Sequence, residues 1–268
     1  MTIDDPRGRI DYDETGDGQT IVFVPGSCST GAAWRPVIAA LGGRFRCVTT
    51  SLLGYGGTAE RRRTGDASIA HEADIIEAVI RRAGGTVHLV GHSFGGLSAL
   101  AVALRGRAPL ASLTIAETPA VDILRAAGEH EYYGAFRAMT DAYFAAVRSG
   151  EREAIGAMLD FYGGAGSFAS WPARVRAYAV ETTPVNLLDW ESAYGFELSP
   201  AMLAAIKLRV LVMYGGDSPA AVRRANALLA LHIAGAAHEI IEDAAHFLIS
   251  THAEAVAQSI ARHASGGG

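Results

Sequence analysis

The sequence predicts an α/β fold: a mostly parallel, doubly wound sheet with a helical cap inserted before the penultimate strand. Three observations carry this. Short apolar runs alternate with longer helical stretches over residues 20–116 and again from 208 onward, the rhythm of strand–helix–strand units. Between about Pro119 and Pro200 the rhythm breaks, and helical, aromatic-rich sequence occurs without a convincing strand. Gly91-His92-Ser93-Phe94-Gly95 joins a strand-like run to a helix-like run, the setting of a tight turn that lifts a serine clear of a sheet.

Taken in order, Arg9-Ile10-Asp11-Tyr12-Asp13 alternates and reads as an exposed edge strand, closed by a turn at Gly16-Asp17-Gly18. Thr20–Val24 is apolar throughout and reads as a buried strand, followed by a helix over Ala33–Leu41 and a strand over Phe45–Thr49. Ser68 is an N-cap residue type, and Ile69, Ala73, Ile76 and Ile80 share one face of a helix that runs to about Ala83. Thr86–Val90 is the strand before Ser93, and the helix after it ends near Arg105-Gly106. Leu110–Ala116 and Leu208–Tyr214 are further buried strands. A helix over Ala220–Ala230, a strand over His238–Ile241 and a helix within His246–His263 complete the chain. Core segments 1–118 and 201–268 thus flank a cap at 119–200. The Gly266-Gly267-Gly268 tail reads as disordered.

Composition narrows the function. The 268 residues are half apolar with a net charge of −5, so one large core is within reach. Mild acidity without a basic stripe argues against nucleic acid. Arg61-Arg62-Arg63 is the one basic cluster and reads as a solvated loop. Cys28 and Cys47 make no disulfide framework, and a reducing, cytoplasmic setting follows. The N-terminus lacks the pattern of a secretory signal, and no apolar run is long enough to span a bilayer. Scattered histidines lack the spacing of a zinc site, and the glycine-rich turn lacks the Lys-Ser/Thr of a phosphate loop. No metal or cofactor is expected, and oligomeric state is not readable.

A serine hydroxyl attacks only when a base takes its proton. Among nine histidines, His246 is best placed, just after the last strand, where open α/β sheets bind ligands. His92 adjoins Ser93 on a tight turn and reads as structural. His88 lies within a strand and reads as packed. Two backbone N–H groups must meet the developing negative charge. Phe94 is one donor. The loop Val24-Pro25-Gly26-Ser27-Cys28 supplies the other, and because Pro25 has no N–H the donor is Ser27, with Cys28 as the alternative.

These residues resemble the α/β-hydrolase superfamily over nearly the whole chain. The likeness rests on the Pro25-Gly26 loop, the Gly54-Tyr55-Gly56 turn, the Ser93 turn, the Asp217 loop and His246. Members usually carry His-Gly where this chain has Pro25-Gly26, so a bracing side chain is missing. The resemblance implies hydrolysis of an ester-like carbonyl substrate through an acyl-enzyme. It also implies an acid that orients His246. Asp217, after the strand that follows the cap, is favoured. Glu117, after the strand that precedes it, is the alternative, and Asp243 is a third candidate too close in sequence to aim correctly.

The substrate reads as a medium-sized, largely apolar ester, lactone or similar carbonyl compound. Tyr132, Tyr133, Trp171 and Trp190 are candidate pocket residues, while Arg35 and Arg137 read as solvated. Haloalkane dehalogenases and epoxide hydrolases share the resembled fold but use aspartate as nucleophile, which Ser93 argues against. An acyltransferase, a lyase, a natural-product tailoring enzyme or a slow ligand receptor would use the same residues.

Overall fold

The computed structural model describes residues 1–266. Eight strands form one sheet: β1 (Thr2–Asp5), β2 (Gly8–Thr15), β3 (Thr20–Val24), β4 (Arg46–Thr50), β5 (Val87–His92), β6 (Leu110–Ala116), β7 (Arg209–Gly215) and β8 (Ala237–Ile241). Their order is β1-β2-β4-β3-β5-β6-β7-β8. The first two strands pair antiparallel, and every pairing from β4 to β8 is parallel. From β3 the chain steps out to β4 and then returns to the other side as β5. That reversal opens a crevice at the strands' carboxyl ends, where ligands bind in sheets of this kind. Of the Gly266–Gly268 tail, Gly267 and Gly268 lie outside the described residues.

Both faces of the sheet are covered, which is why β3 and β5 are buried at every position. One face packs on the helices Ile69–Ala83 and Phe94–Arg105. Ser68 caps the first, its hydroxyl accepting from the Ala70 N–H at 3.2 Å. Ile69, Ala73, Ile76 and Ile80 are all buried, and full burial of each isoleucine contributes about 1.5–3 kcal/mol. The other face holds Trp34, Val37, Leu248, Val256 and Ile260.

Two readings of the elements change. Thr2–Asp5 is a strand and forms the edge, so β2 lies inside it with Ile10 and Tyr12 buried. A short charged strand is hard to see in sequence, and Gly8, at φ +131°, makes the turn that folds it back. The proposed Ala33–Leu41 helix is a 3-10 turn, Gly31–Trp34, leading into a helix at Arg35–Ala40, with Pro36 in the first helical turn where its missing N–H costs nothing.

Seven helices between Val121 and Ala204 separate β6 from β7. Their buried side chains, Phe136, Ile155, Met158 and Trp190 among them, join the same apolar cluster as the sheet face beneath.

Candidate active site

Ser93 stands where β5 passes into the Phe94–Arg105 helix, with φ 55° and ψ −128°. A side-chain-bearing residue at positive φ is strained and persists only when its surroundings hold it. The flanking glycines are needed for close approach: a Cβ on Gly91 would strike the Gly95 carbonyl, and one on Gly95 would strike the Pro25 carbonyl. The Ser93 N–H donates to the Ala116 carbonyl at 2.8 Å, tying the turn to β6. Its neighbours are buried, but Ser93 itself is partly open.

His246 follows β8, and its Nε2 lies 3.0 Å from the Ser93 hydroxyl. Its Nδ1 lies 3.0 Å from Glu117 Oε2. A carboxylate only accepts, so Nδ1 is the nitrogen that donates to Glu117, and in a neutral imidazole Nε2 is then the one that can take the serine's proton. The His246 carbonyl accepts from His92 Nε2 at 2.8 Å, so His92 pins the loop that bears His246. Burial, then the neighbouring His246, lowers the His92 pKa to about 3, which keeps that imidazole neutral. His88 is packed within β5 against Ser112, 2.8 Å away.

Glu117 immediately follows β6, with φ 55° and no exposure. Its Oε1 accepts from the Gly215 N–H and the Ser218 hydroxyl, both at 2.6 Å. Burial pushes its pKa up, but the hydrogen bond and charge of His246, with those of Ser218 and Gly215, outweigh burial and set it below the ordinary carboxylate value.

Of the two candidate acids, the structure brings Glu117 to His246 and leaves the favoured Asp217 apart from it. Asp217 is exposed, and its N–H is spent on the Ala244 carbonyl at 2.9 Å. The turn after β7 points Ser218 inward and Asp217 outward, and Ser218 serves the other acid. Asp243 is also exposed and makes no bond to His246.

A Cβ on Gly26 would sit 2.9 Å from Ser93 Cβ, so the loop after β3 lies against the serine. Neither the Phe94 nor the Ser27 N–H has an acceptor among the described residues. The Ser27 hydroxyl donates to Asp189 Oδ2 at 2.5 Å. Cys28, the alternative, is buried at φ 57°, and burial raises its thiol pKa to about 12. It and Cys47 are free thiols.

Asp189, on the helix Thr183–Tyr194, leads to a correction. Its carboxylate also accepts from the Tyr55 hydroxyl and from Arg62 Nη1, both at 2.7 Å. Arg62 is buried, with its guanidinium also 2.8 Å from Glu60 and 3.1 Å from Glu72. The arginine triplet is therefore not uniformly solvated; its middle member ties Asp189 of the helical insertion to Glu60 and Glu72, and Asp189 in turn holds Ser27.

A cavity of about 980 Å³ opens over Ser93 and His246. Trp171 and Trp190 line it, but Tyr132 and Tyr133 do not. Tyr133 packs edge-on against Tyr194, 6.4 Å between centroids. Arg35 stands exposed at the rim, while Arg137 pairs with Asp141 at 2.8 Å and lies over Tyr194. Tyr162, Asn186 and Phe247 line the cavity and were not singled out from sequence. The Tyr162 ring lies 4.2 Å from that of His246. Asn186 is separated from Asp189, Trp190 and Ala193 by 3, 4 and 7 residues, one helical face, a signal visible in sequence had the burying face been known. Among the described residues no group of three His, Cys, Asp or Glu side chains lies close enough to hold a metal. No described helix is long and apolar enough to cross a membrane.

An eight-stranded, mostly parallel sheet with a serine held on a strained strand-to-helix turn defines an α/β-hydrolase fold. Residues 21–259 match the alpha/beta hydrolase family, and the chain belongs to it. Curated relatives match over shorter stretches. Haloalkane dehalogenase 2 of Mycobacterium tuberculosis is 34% identical over 103 residues, 38% of this chain and 36% of that protein. The pimeloyl-[acyl-carrier protein] methyl ester esterase of Vibrio cholerae is 34% identical over 106 residues, 39% of each. The chain thus spans little more than a third of these relatives' length. Among solved structures, the enol-lactonase from Burkholderia xenovorans LB400 superposes with TM-score 0.77 at 20% identity, over 99% of this chain and 100% of that one.

Proposed function

We propose that this chain is a serine hydrolase of esters or lactones working through Ser93, His246 and Glu117. The observation that carries the reading is the unbroken hydrogen-bond chain from the Ser93 hydroxyl through His246 to Glu117. Neutral His246 takes the Ser93 proton as the oxygen attacks the substrate carbonyl carbon. The resulting oxyanion is met by the Phe94 N–H and by that of Ser27, neither of which has an acceptor among the described residues. His246 then gives the proton to the leaving alkoxide, and the acyl group stays on Ser93. Water, deprotonated by the same imidazole, releases the acid and restores the serine. Glu117 keeps the proton on Nδ1 and stabilises the imidazolium that forms at each step.

Segments 1–118 and 201–268 serve as the catalytic core, and 119–200 as a cap that roofs the cavity and sets the substrate's size. The ester and lactone activities named for the Vibrio and Burkholderia proteins support this reading. A serine rather than an aspartate on the turn weighs against the chemistry named for the dehalogenases. Buried free thiols fit a reducing, cytoplasmic setting.

The test is labelling with a fluorophosphonate probe together with turnover of short-chain nitrophenyl esters. Labelling at Ser93 and turnover lost in Ser93→Ala and His246→Ala are expected. Labelling without turnover redirects the reading to an acyltransferase, a lyase or a slow receptor. An unlabelled Ser93 sinks it.

A further inference from the structure

An amide that must meet an oxyanion has to be held still, and the loop bearing Ser27 has little backbone support. Gly26 lies against Ser93. Yet none of Pro25, Gly26, Ser27, Cys28 and Ser29 joins a backbone–backbone hydrogen bond among the described residues. Side chains fix the loop instead. The Ser29 hydroxyl donates to the Gly26 carbonyl at 2.8 Å and braces it from within. The Ser27 hydroxyl donates to Asp189 Oδ2 at 2.5 Å, a partner 162 residues further along the chain in the helix Thr183–Tyr194. Asp189 is itself clamped. It is 2% exposed. Its Oδ2 also accepts from the Tyr55 hydroxyl and its Oδ1 from Arg62 Nη1, both at 2.7 Å. Tyr55 and Arg62 both follow β4, so the core holds the carboxylate from behind while its free side meets Ser27. Hydrogen bonds to a carboxylate are shorter and stronger than those between neutral groups. Packing the insertion on the core needs no buried charge, since apolar side chains of similar volume serve as well.

We infer that Asp189 is a positioning residue: through the Ser27 hydroxyl it aims the Ser27 N–H at the oxyanion, so that the inserted segment completes the oxyanion hole of the core. The inference rests on the reading of Ser93 as nucleophile and of Ser27 as donor. Asp189 acts only through Ser27 and touches no reacting atom. An oxyanion donor works where charge develops, so misaiming it weakens the transition state and spares the ground state. A plain tie between insertion and core would show in stability alone.

The experiment cuts the tether at either end. Ser27→Ala removes the hydroxyl and keeps the amide. Asp189→Leu removes the acceptor and leaves Arg62 with Glu60 and Glu72. Enzyme concentration is set by fluorophosphonate titration of Ser93 to completion, so that only folded protein counts. Two quantities are read: kcat/KM for 4-nitrophenyl acetate, and the inhibition constant of 1,1,1-trifluoro-4-phenylbutan-2-one. Ser93 Oγ bonds to that ketone's carbonyl carbon, the π pair passes to the carbonyl oxygen and the serine proton to His246. The adduct therefore carries the oxyanion with no leaving group. Both variants should lower kcat/KM and raise the inhibition constant by the same factor, about 10–100-fold, short of the ~10²–10³ lost with a donor itself. Ser27→Ala/Asp189→Leu should lose no more than either change alone. Ser27→Thr, which returns a hydroxyl, should recover most of the loss. Should Asp189→Leu fail to fold, Ser27→Ala against Ser27→Thr decides. Wild-type values in Ser27→Ala overturn the inference, as do losses that multiply in the double variant or a Ser27→Thr no better than Ser27→Ala. Failure of the hydrolase reading is seen separately, in a wild type that neither takes the probe nor turns over the ester.

Discussion

The loops leaving β6 and β7 lie side by side, and each carries a carboxylate one or two residues past its strand. They differ in what surrounds the acid. Glu117 is fully buried at a reversed φ and accepts from His246, Ser218 and the Gly215 amide. Asp217 is exposed to solvent. Position at a strand end is therefore not enough to make an orienting acid; converging donors and a backbone twist that aims it are also required. The comparison is broken most directly by neutralising each acid. Glu117→Gln should lower kcat by about 10³–10⁴-fold, because His246 loses the partner that fixes its tautomer. Asp217→Asn should stay within about twofold. Steady-state kinetics on one nitrophenyl ester decides, and the reverse pattern would return the role to Asp217.

A third acid sharpens the contrast. Glu72 is as buried as Glu117, yet its pKa moves the other way. Burial pushes it up to about 8, only partly opposed by Arg62, with Asp189 and Glu60 raising it further. Its single hydrogen bond is from the Leu53 N–H at 3.3 Å, and Arg62 is shared with Asp189 and Glu60. Removing the shared cation by Arg62→Met should cost about 3–5 kcal/mol, since it strands buried carboxylates, and should lower Tm by roughly 10 °C. A glutamate protonated in the folded chain and ionised in the unfolded one favours folding at low pH. That contribution is lost as pH climbs from the ordinary carboxylate range through about 8. Chemical denaturation across that window should show stability falling in the wild type and a flatter profile in Glu72→Gln. Identical profiles would mean that Glu72 is ionised in the fold.

How much of this could be read from the sequence follows from the range of each interaction. The strands announce themselves as apolar runs, and the Ser93 turn by its glycines, because both are written within a few neighbouring residues. His246 is legible as the histidine after the last strand. The choice between Glu117 and Asp217 is not, since one residue of register in Gly215-Gly216-Asp217-Ser218 decides which side chain turns inward. Arg62 reads as solvent-facing because Asp189 lies 127 residues away along the chain. The insertion's aromatics show that it packs but not which face meets the cavity, so Trp171 and Trp190 line it while Tyr132 and Tyr133 do not. One regularity emerges only in three dimensions. Among the described residues the four non-glycines at positive φ are Cys28, Ser93, Glu117 and Asp243. Each follows a different strand at its carboxyl end, around the candidate site. Backbone strain, absent elsewhere from side-chain-bearing residues, is concentrated where groups must be aimed.

The smallest effect tests the finest part of the comparison, the hydroxyl that β7's loop lends to β6's acid. Ser218 is buried and does not line the cavity, so it can influence the reaction only through Glu117. Ser218→Ala removes one of two donors to Oε1 and leaves the Gly215 N–H in place. A single hydrogen bond to a charged group contributes about 1.5–3 kcal/mol. Part of that is recovered as the remaining bonds tighten, so kcat should fall about five- to tenfold with KM unchanged. The decisive measurement is the double variant. If Ser218 works by holding Glu117, then in the Glu117→Gln background Ser218→Ala should cost nothing further, the two changes being coupled rather than additive. An unchanged five- to tenfold loss in that background would give Ser218 a role of its own.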